Sequence, residues 1–169
     1  MTTATTETKA KVARSMAWST ANCSVARTLA VVGEKWTFQV LREVFLGVRR
    51  FEDMHLHGGI PRQVLSKQLG SLVDADLLVR VPYREDGARE RHEYRLTDAG
   101  AALRIPLMAL MAWGDEHLAD TSGPAVHVVH RGCGELVQLV AGCAADHPTP
   151  ELIDLRFVPG PGAQPSGLA

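Results

Sequence analysis

The sequence is poor in the features that mark secreted, membrane-bound or disulfide-linked proteins. It has three cysteines in 169 residues, too few for a disulfide framework. No apolar run approaches the roughly 20 residues of a membrane-spanning helix, and the threonine-rich start from Met1 to Ala10 lacks the apolar core of a signal peptide. The formal net charge is −1, so any nucleic-acid site must be a local basic patch. These absences favour a cytoplasmic protein with reduced thiols and no membrane partner.

Composition and the spacing of apolar residues divide the chain into three parts. Residues 1–21 form a polar N-terminal arm, in which Thr8 to Trp18 are predicted to form a short dimerisation helix. Residues 22–120 are dense in periodic apolar positions and should form the folded domain. Residues 121–169 alternate short apolar runs with glycine and proline, which is typical of strands and turns. We expect a β-hairpin or ribbon-like extension there, ending in a disordered tail.

Apolar residues at helical spacing predict four helices in the first half of the domain. Asn22 or Cys23 can cap the first helix, Gly33 and Gly47 end the first and second, and Pro61 opens the fourth. The fourth helix carries a polar stripe opposite its apolar face, made of Arg62, Gln63, Ser66 and Lys67.

The second half of the domain is predicted to be a hairpin followed by a long helix. Leu77 to Tyr83 and Arg91 to Leu96 have strand character, and the tight-turn pair Asp86-Gly87 lies between them. The long helix should run from Ala99 to His117, with a kink or a division at Pro106.

This order of helices and a charged hairpin predicts an α+β, mainly α fold: a winged helix-turn-helix domain with a C-terminal β-rich extension. In such domains one helix enters the major groove and the wing contacts the backbone or the minor groove beside it. Candidate DNA-contacting residues are Arg62, Gln63, Ser66 and Lys67 on the helix, Arg49 and Arg50 before it, and Arg84, Arg89 and Arg91 in the wing. A solvated charged face is the alternative for the helical stripe alone.

Three segments of the chain resemble the HxlR-type bacterial transcriptional regulators, relatives of the MarR group. They are CSVARTLAVVGEKWTFQVLREVFLGVRRFEDM, GGIPRQVLSKQLGSLVDADLLVRV and EYRLTDAGAAL, within Cys23 to Leu118. The resemblance implies a homodimer, built through terminal helices, that binds a pseudo-palindromic operator as repressor or activator. Two residues depart from the family pattern: Pro61 replaces an expected serine or alanine, and Asp76 replaces the usual glycine before the strand.

The resemblance also places Cys23 at the position of a thiol with which some HxlR-type regulators sense oxidants or electrophiles. A thiolate at the start of a helix is favoured by unpaired N–H groups and the helix dipole, and Arg27 lies one turn further along. The alternative is a small, buried and inert cysteine. A small-molecule effector pocket around Met108, Met111 and Trp113 is a second route to regulation; core or dimer interface is the alternative for these three residues.

The last third of the chain holds a cluster of residues able to bind a metal. Its members are His130, Cys133, Cys143, Asp146 and His147, at spacings similar to those of a zinc ribbon with one ligand changed. A degenerate hairpin without metal is the alternative, and we expect no cofactor, with structural zinc left open. The alternative function is then a zinc-ribbon-containing DNA-binding or protein-interaction module without redox sensing. No recognisable catalytic motif is present, so we expect no enzyme.

Overall fold

The computed structural model describes residues 19–87, 89–118, 120–147, 151 and 155–165. One compact unit, here called the central unit, comprises Val32–Val140, and the described residues before and after it form a second unit. The predicted Thr8–Trp18 helix lies outside the described residues. Within the described part of the chain, no helix has the length and apolar character needed to cross a membrane.

The described elements follow the order that the sequence predicts, a series of helices followed by a hairpin and further helices. They are α1 (Ser24–Val32), α2 (Lys35–Phe45), α3 (Phe51–Gly58), α4 (Arg62–Asp74), β1 (Leu78–Tyr83), β2 (Arg91–Leu96), α5 (Asp98–Ala102) and α6 (Arg104–His117). The mainly α, winged helix-turn-helix arrangement is thereby confirmed.

The core of the central unit lies between α2, α3 and α4. Its fully buried members include Leu41 on α2, Met54 on α3, and Leu65 and Leu69 on α4. Each buried aliphatic side chain of this size stabilises the fold by about 1.5–3 kcal/mol relative to an exposed one. Because one face of α4 is committed to this core, its opposite polar face must point outward.

Helix α4 ends in a tight left-handed turn at Asp76. The N–H of Leu77 donates to the carbonyl of Leu72 over 2.9 Å, and the N–H of Asp76 donates to that of Val73 over 3.0 Å. This is the Schellman pattern of a helix end, in which the left-handed residue is usually glycine. Asp76 has φ +54°, so the family's usual glycine is absent at a position whose backbone favours it.

The wing is an antiparallel pair that runs from Leu78↔Leu96 to Tyr83↔Arg91. At its base, Thr97 caps α5, because its hydroxyl oxygen accepts a hydrogen bond of 3.0 Å from the N–H of Gly100. A Cβ atom on Gly100 would lie 2.0 Å from the carbonyl oxygen of Leu77. The close approach of α5 to the base of the wing therefore requires glycine.

Two details differ from the prediction. The long helix is divided at Leu103, between α5 and α6, and not at Pro106. Pro106 lies in the first turn of α6, where a missing N–H breaks no intrahelical bond. In the expected β-rich extension, the described residues of the central unit form a single antiparallel bridge, Val129↔Leu136. Most side chains of residues 121–140 are exposed, so no buried apolar face supports longer strands there.

Candidate nucleic-acid interface

The polar stripe of α4 is exposed along its length. Arg62, Gln63, Ser66 and Lys67 are all exposed, whereas the opposite face of the helix is buried in the core. The core therefore holds the helix rigidly while four hydrogen-bonding side chains face outward. A helix presented in this way fits the major groove of DNA, which admits a single helix.

Lys67 is paired with a carboxylate that the sequence did not single out. Its Nζ lies 3.2 Å from Oε1 of Glu34, just before α2, and the side-chain amide of Gln68 donates to Oε2 of the same residue. Gln68 is itself buried and accepts a hydrogen bond of 2.8 Å from the hydroxyl of Thr37. The hydrogen bond from Gln68 and then the one from Lys67 lower the pKa of Glu34. The carboxylate therefore stays ionised beside the stripe.

Arg62 is paired in the same manner at the other end of the stripe. Its Nη1 and Nη2 donate to the two carboxylate oxygens of Glu52 over 2.6 and 2.5 Å. These hydrogen bonds lower the pKa of Glu52 and raise that of Arg62. A forked pair of this kind fixes the direction of the guanidinium group.

Arg49 and Arg50 connect the start of α3 to the wing. The carbonyl of Arg49 accepts a hydrogen bond of 2.8 Å from the N–H of Tyr94. The guanidinium carbon of Arg50 lies 4.3 Å from the ring centroid of Tyr83, and its Nη1 is 2.6 Å from Glu85. The Arg50 side chain thus belongs to the wing, while that of Arg49 is exposed.

The remaining predicted contacts lie in the wing itself. Arg84, Arg89 and Arg91 are exposed, and Gly87 turns the chain between the strands with φ +76°. The charge of Arg91 is among the causes that lower the pKa of Glu52. This effect is smaller than that of Arg62, whose hydrogen bonds are the main cause of the lowered pKa of Glu52.

Glu43 is a buried carboxylate that was not predicted from the sequence. The side chain of Glu43 on α2 is fully buried, with Oε1 2.6 Å from Arg42 and Oε2 2.5 Å from His57. A buried charge needs such partners, because desolvation would otherwise be costly. The signal in the sequence was a glutamate within the apolar face of a helix.

Cys23 lies where the sequence places it, at the start of α1. Its carbonyl accepts the first helical hydrogen bond, 3.0 Å from the N–H of Arg27, and its side chain is half-buried. Within the described residues, the Arg27 side chain makes no hydrogen bond or ion pair. Sensing by this thiol stays a prediction.

The candidate metal ligands form two pairs. Nδ1 of His130 lies 3.2 Å from Sγ of Cys133, and Sγ of Cys143 lies 3.5 Å from Nδ1 of His147. Asp146 adopts a left-handed backbone beside the second pair. Among the described residues, no three such side chains are grouped as a metal ion would need. Two ligands per pair do not make a closed zinc site, which takes four, so zinc binding also stays a prediction.

Comparison with known proteins agrees with this geometry. Residues 31–122 match the model of the HxlR-like helix-turn-helix family. A helix-turn-helix transcriptional regulator of Mycobacterium tuberculosis, itself uncharacterised, is 45% identical over 139 residues, which are 82% of this chain and 85% of the relative. The crystal structure of PA1607, a candidate transcription factor, is 32% identical with a TM-score of 0.71 and covers 82% of this chain and 95% of its own.

A third similar structure is the redox regulator HypR in its oxidised form. It is 25% identical to this chain, with a TM-score of 0.50. The match covers 58% of this chain and 100% of the HypR chain. All three relatives named here are described as regulators or transcription factors. The chain belongs to the HxlR-like helix-turn-helix family of transcriptional regulators.

Proposed function

We propose that the protein is a homodimer that binds a pseudo-palindromic DNA operator with α4 in the major groove of each half-site. The observation that carries the proposal is the exposed stripe of α4, held outward by the buried face of the same helix. Gln63 and Ser66 are the base-reading residues. In the described structure the amide of Gln63 and the hydroxyl of Ser66 make no hydrogen bond to a carboxylate, whereas Arg62 and Lys67 do. Lys67 and Arg62 contact phosphate or guanine after they release their carboxylates.

The wing and the start of α3 supply the backbone contacts in this proposal. Arg49, Arg50, Arg84, Arg89 and Arg91 are the residues concerned. Such contacts position the protein and add affinity that is independent of base sequence. Because operator DNA is in the bacterial cytoplasm, we infer a cytoplasmic location.

The second subunit is proposed to pack on α6. Ile105, Leu110 and Trp113 are 58%, 54% and 57% exposed on this helix. Leu107 and Met108 on the same helix are buried within the chain. A helix that is apolar on more than one side must bury each of these sides against other protein. In an isologous dimer, the second subunit would bury the exposed side of α6. Two recognition helices would then lie about 34–36 Å apart, one turn of DNA.

Selection from a random duplex library tests the proposal. The purified full-length chain should enrich an inverted repeat whose half-sites are centred about 10 base pairs apart. Arg89→Ala and Arg91→Ala should weaken binding to all sequences alike and flatten its salt dependence. Arg156→Ala, outside the central unit, is the matched control. Enrichment of no sequence, or of a site without symmetry, would contradict the proposal.

Control of the operator by a thiol is a finer part of the proposal. Cys23 at the N-terminus of α1 supports it, and HypR, a structural neighbour, is described as a redox regulator. Mild peroxide should change operator binding of the unmodified protein and leave that of Cys23→Ser unchanged. Cys143→Ser, which removes another half-buried thiol, should respond like the unmodified protein. An equal response of the protein and Cys23→Ser would exclude this role.

A further inference from the structure

The central unit contains an apolar cleft whose rim is made of arginines. The cleft has a volume of about 280 Å³, and its lining includes Phe45 on α2 and Leu107, Met108 and Met111 on α6. Residues 126–129 form another part of the lining. Leu107 and Met108 are 9% exposed, so these side chains make an apolar floor. The volume is near the lower end of small-molecule sites, which hold about 300–1,000 Å³.

Three arginines are among the lining residues of the cleft: Arg42, Arg104 and Arg131. Arg42 is committed to Glu43, with 2.6 Å between Nη2 and Oε1. The guanidinium of Arg104 lies 5.1 Å from the centroid of the Phe45 ring. Among the described residues, neither Arg104 nor Arg131 makes a hydrogen bond or an ion pair. Their N–H donors are therefore available to a ligand.

The lining carries no opposing charge. Neither this cleft nor one adjoining hollow, which shares Phe45, Leu46, Arg104 and Arg131 with it, has an aspartate or glutamate among its lining residues; a second hollow, on the side of Met108 and Met111, contains Asp115. The first hollow adds Arg49 and Arg95, of which Arg95 is paired with Glu93 over 2.6 Å. Like charges beside an apolar surface of low dielectric repel one another, and an anion relieves the repulsion. The electrostatics of the cleft thus favour a negatively charged occupant.

From these observations we infer that the cleft binds a small organic carboxylate with an apolar body. Arg104 and Arg131 would donate forked hydrogen bonds to the carboxylate, for which the guanidinium geometry is suited. The apolar body would lie against Phe45 and the methionines, whose flexible side chains adapt to ligands of differing shape. The site is separate from the α4 stripe, so its existence does not depend on operator binding. The cleft includes Met108 and Met111, two of the three residues around which the sequence suggests an effector pocket, and its lining does not include Trp113.

Calorimetric titration of the full-length protein without DNA tests the inference. The probes are octanoate and phenylacetate, with octanamide and phenylacetamide as neutral matches and acetate as the carboxylate without an apolar body. Both carboxylates should bind. Their amides should bind at least about ten-fold more weakly, because charge-assisted hydrogen bonds exceed neutral ones by a kilocalorie or more. Acetate should also bind more weakly, because it lacks the apolar body that the cleft would bury. Equal affinity for acid and amide would overturn the inference, as would the absence of binding at millimolar octanoate and phenylacetate.

The variant Arg104→Gln, Arg131→Gln separates this site from other basic surfaces. It should lose about ten-fold in affinity for the carboxylate and keep its weak affinity for the amide. Arg80→Gln removes an exposed arginine of β1 outside the cleft and should bind the carboxylate as the unmodified protein does. Circular dichroism confirms that each variant is folded. A loss shared equally by the two variants would place the carboxylate elsewhere and contradict the inference.

Discussion

The Nζ of Lys67 lies 3.2 Å from the carboxylate of Glu34, so the stripe of α4 carries its own counter-charge. Arg62 is held likewise by Glu52 over 2.5 Å. All four side chains are about half exposed or more, and such pairs add little to stability. Their effect should appear in DNA binding, because each cation must leave its carboxylate before it can contact a phosphate.

Glu34→Gln and Glu52→Gln should therefore raise the affinity for random-sequence DNA. Each removes a negative charge beside the stripe and frees a cation, and one further phosphate contact steepens the slope of log K against log salt by about 0.9. Glu116→Gln, on an exposed side chain of α6, makes the same change in net charge and is the control. Fluorescence anisotropy at several salt concentrations measures both quantities. An equal gain in the control would show that net charge alone is responsible.

The pH dependence of this gain follows from the lowered pKa values of Glu34 and Glu52. Both lie below the usual 4.5, so both carboxylates are ionised throughout the neutral range and the ratio of variant to unmodified affinity should be constant there. As the pH falls through the lowered pKa values, the unmodified protein also loses these charges. The ratio should then approach one. A ratio that changes between neutral and mildly acidic pH would contradict the assignment.

Replacement of Gln63 should relax sequence selectivity without unfolding the protein. Loss of a bidentate base contact removes about 1–3 kcal/mol of discrimination at one base pair, whereas exposed substitutions change stability by about 0.5 kcal/mol or less. We expect Gln63→Ala to bind operator more weakly and random DNA unchanged, and Lys67→Ala to weaken both. Ser71→Ala, an exposed change elsewhere on α4, is the control. If the double variant Gln63→Ala, Lys67→Ala kept the selectivity of the unmodified protein, α4 would not be the helix that reads the base sequence.

Gly100 and Gly70 make a matched pair of tests of the packing. Gly100→Ala should destabilise the protein severely, because its Cβ would overlap the carbonyl oxygen of Leu77 at 2.0 Å, and that oxygen belongs to the backbone and cannot rotate away as a side chain could. Gly70 lies within α4 with no atom within 4 Å of an added Cβ, so Gly70→Ala should stabilise by about 0.5–1 kcal/mol. Urea unfolding without DNA measures both. Equal effects at the two sites would show that the close approach at Gly100 is not rigid.

Asp76→Gly should stabilise the protein by about 0.4–1 kcal/mol, since φ +54° is strained for an aspartate and free for glycine. Asp74→Gly, in the last turn of the same helix, should destabilise it by about as much. Thermal unfolding compares the two. A loss of stability in Asp76→Gly would mean that its side chain stabilises the turn by more than the backbone strain.

The sequence predicted the helix α4 and its exposed polar face, where local rules decide the structure. The apolar spacing and Pro61 placed α4 and its stripe. The sequence did not predict features that depend on the exact position of a residue within a helix, or on pairing between side chains far apart in the sequence. Pro106 is harmless because α6 begins two residues before it, and the partner of Lys67 lies 33 residues away at Glu34. The arginines of the cleft come from three distant segments, so no local pattern could bring them together.

The last prediction concerns the dimer. Trp113→Glu should place a charge in the apolar face of α6 proposed to contact the second subunit, and burial of an unpaired charge is strongly unfavourable. The variant should therefore sediment as a monomer at micromolar concentration and lose affinity for a two-half-site operator. Trp113→Glu should bind a single half-site as weakly as the unmodified protein does.

The variant Leu56→Glu is the matched control. Leu56 is 75% exposed on α3, outside the proposed interface, so this variant should remain a dimer. If the unmodified protein is a monomer at this concentration, or if Trp113→Glu remains a dimer, α6 is not the interface.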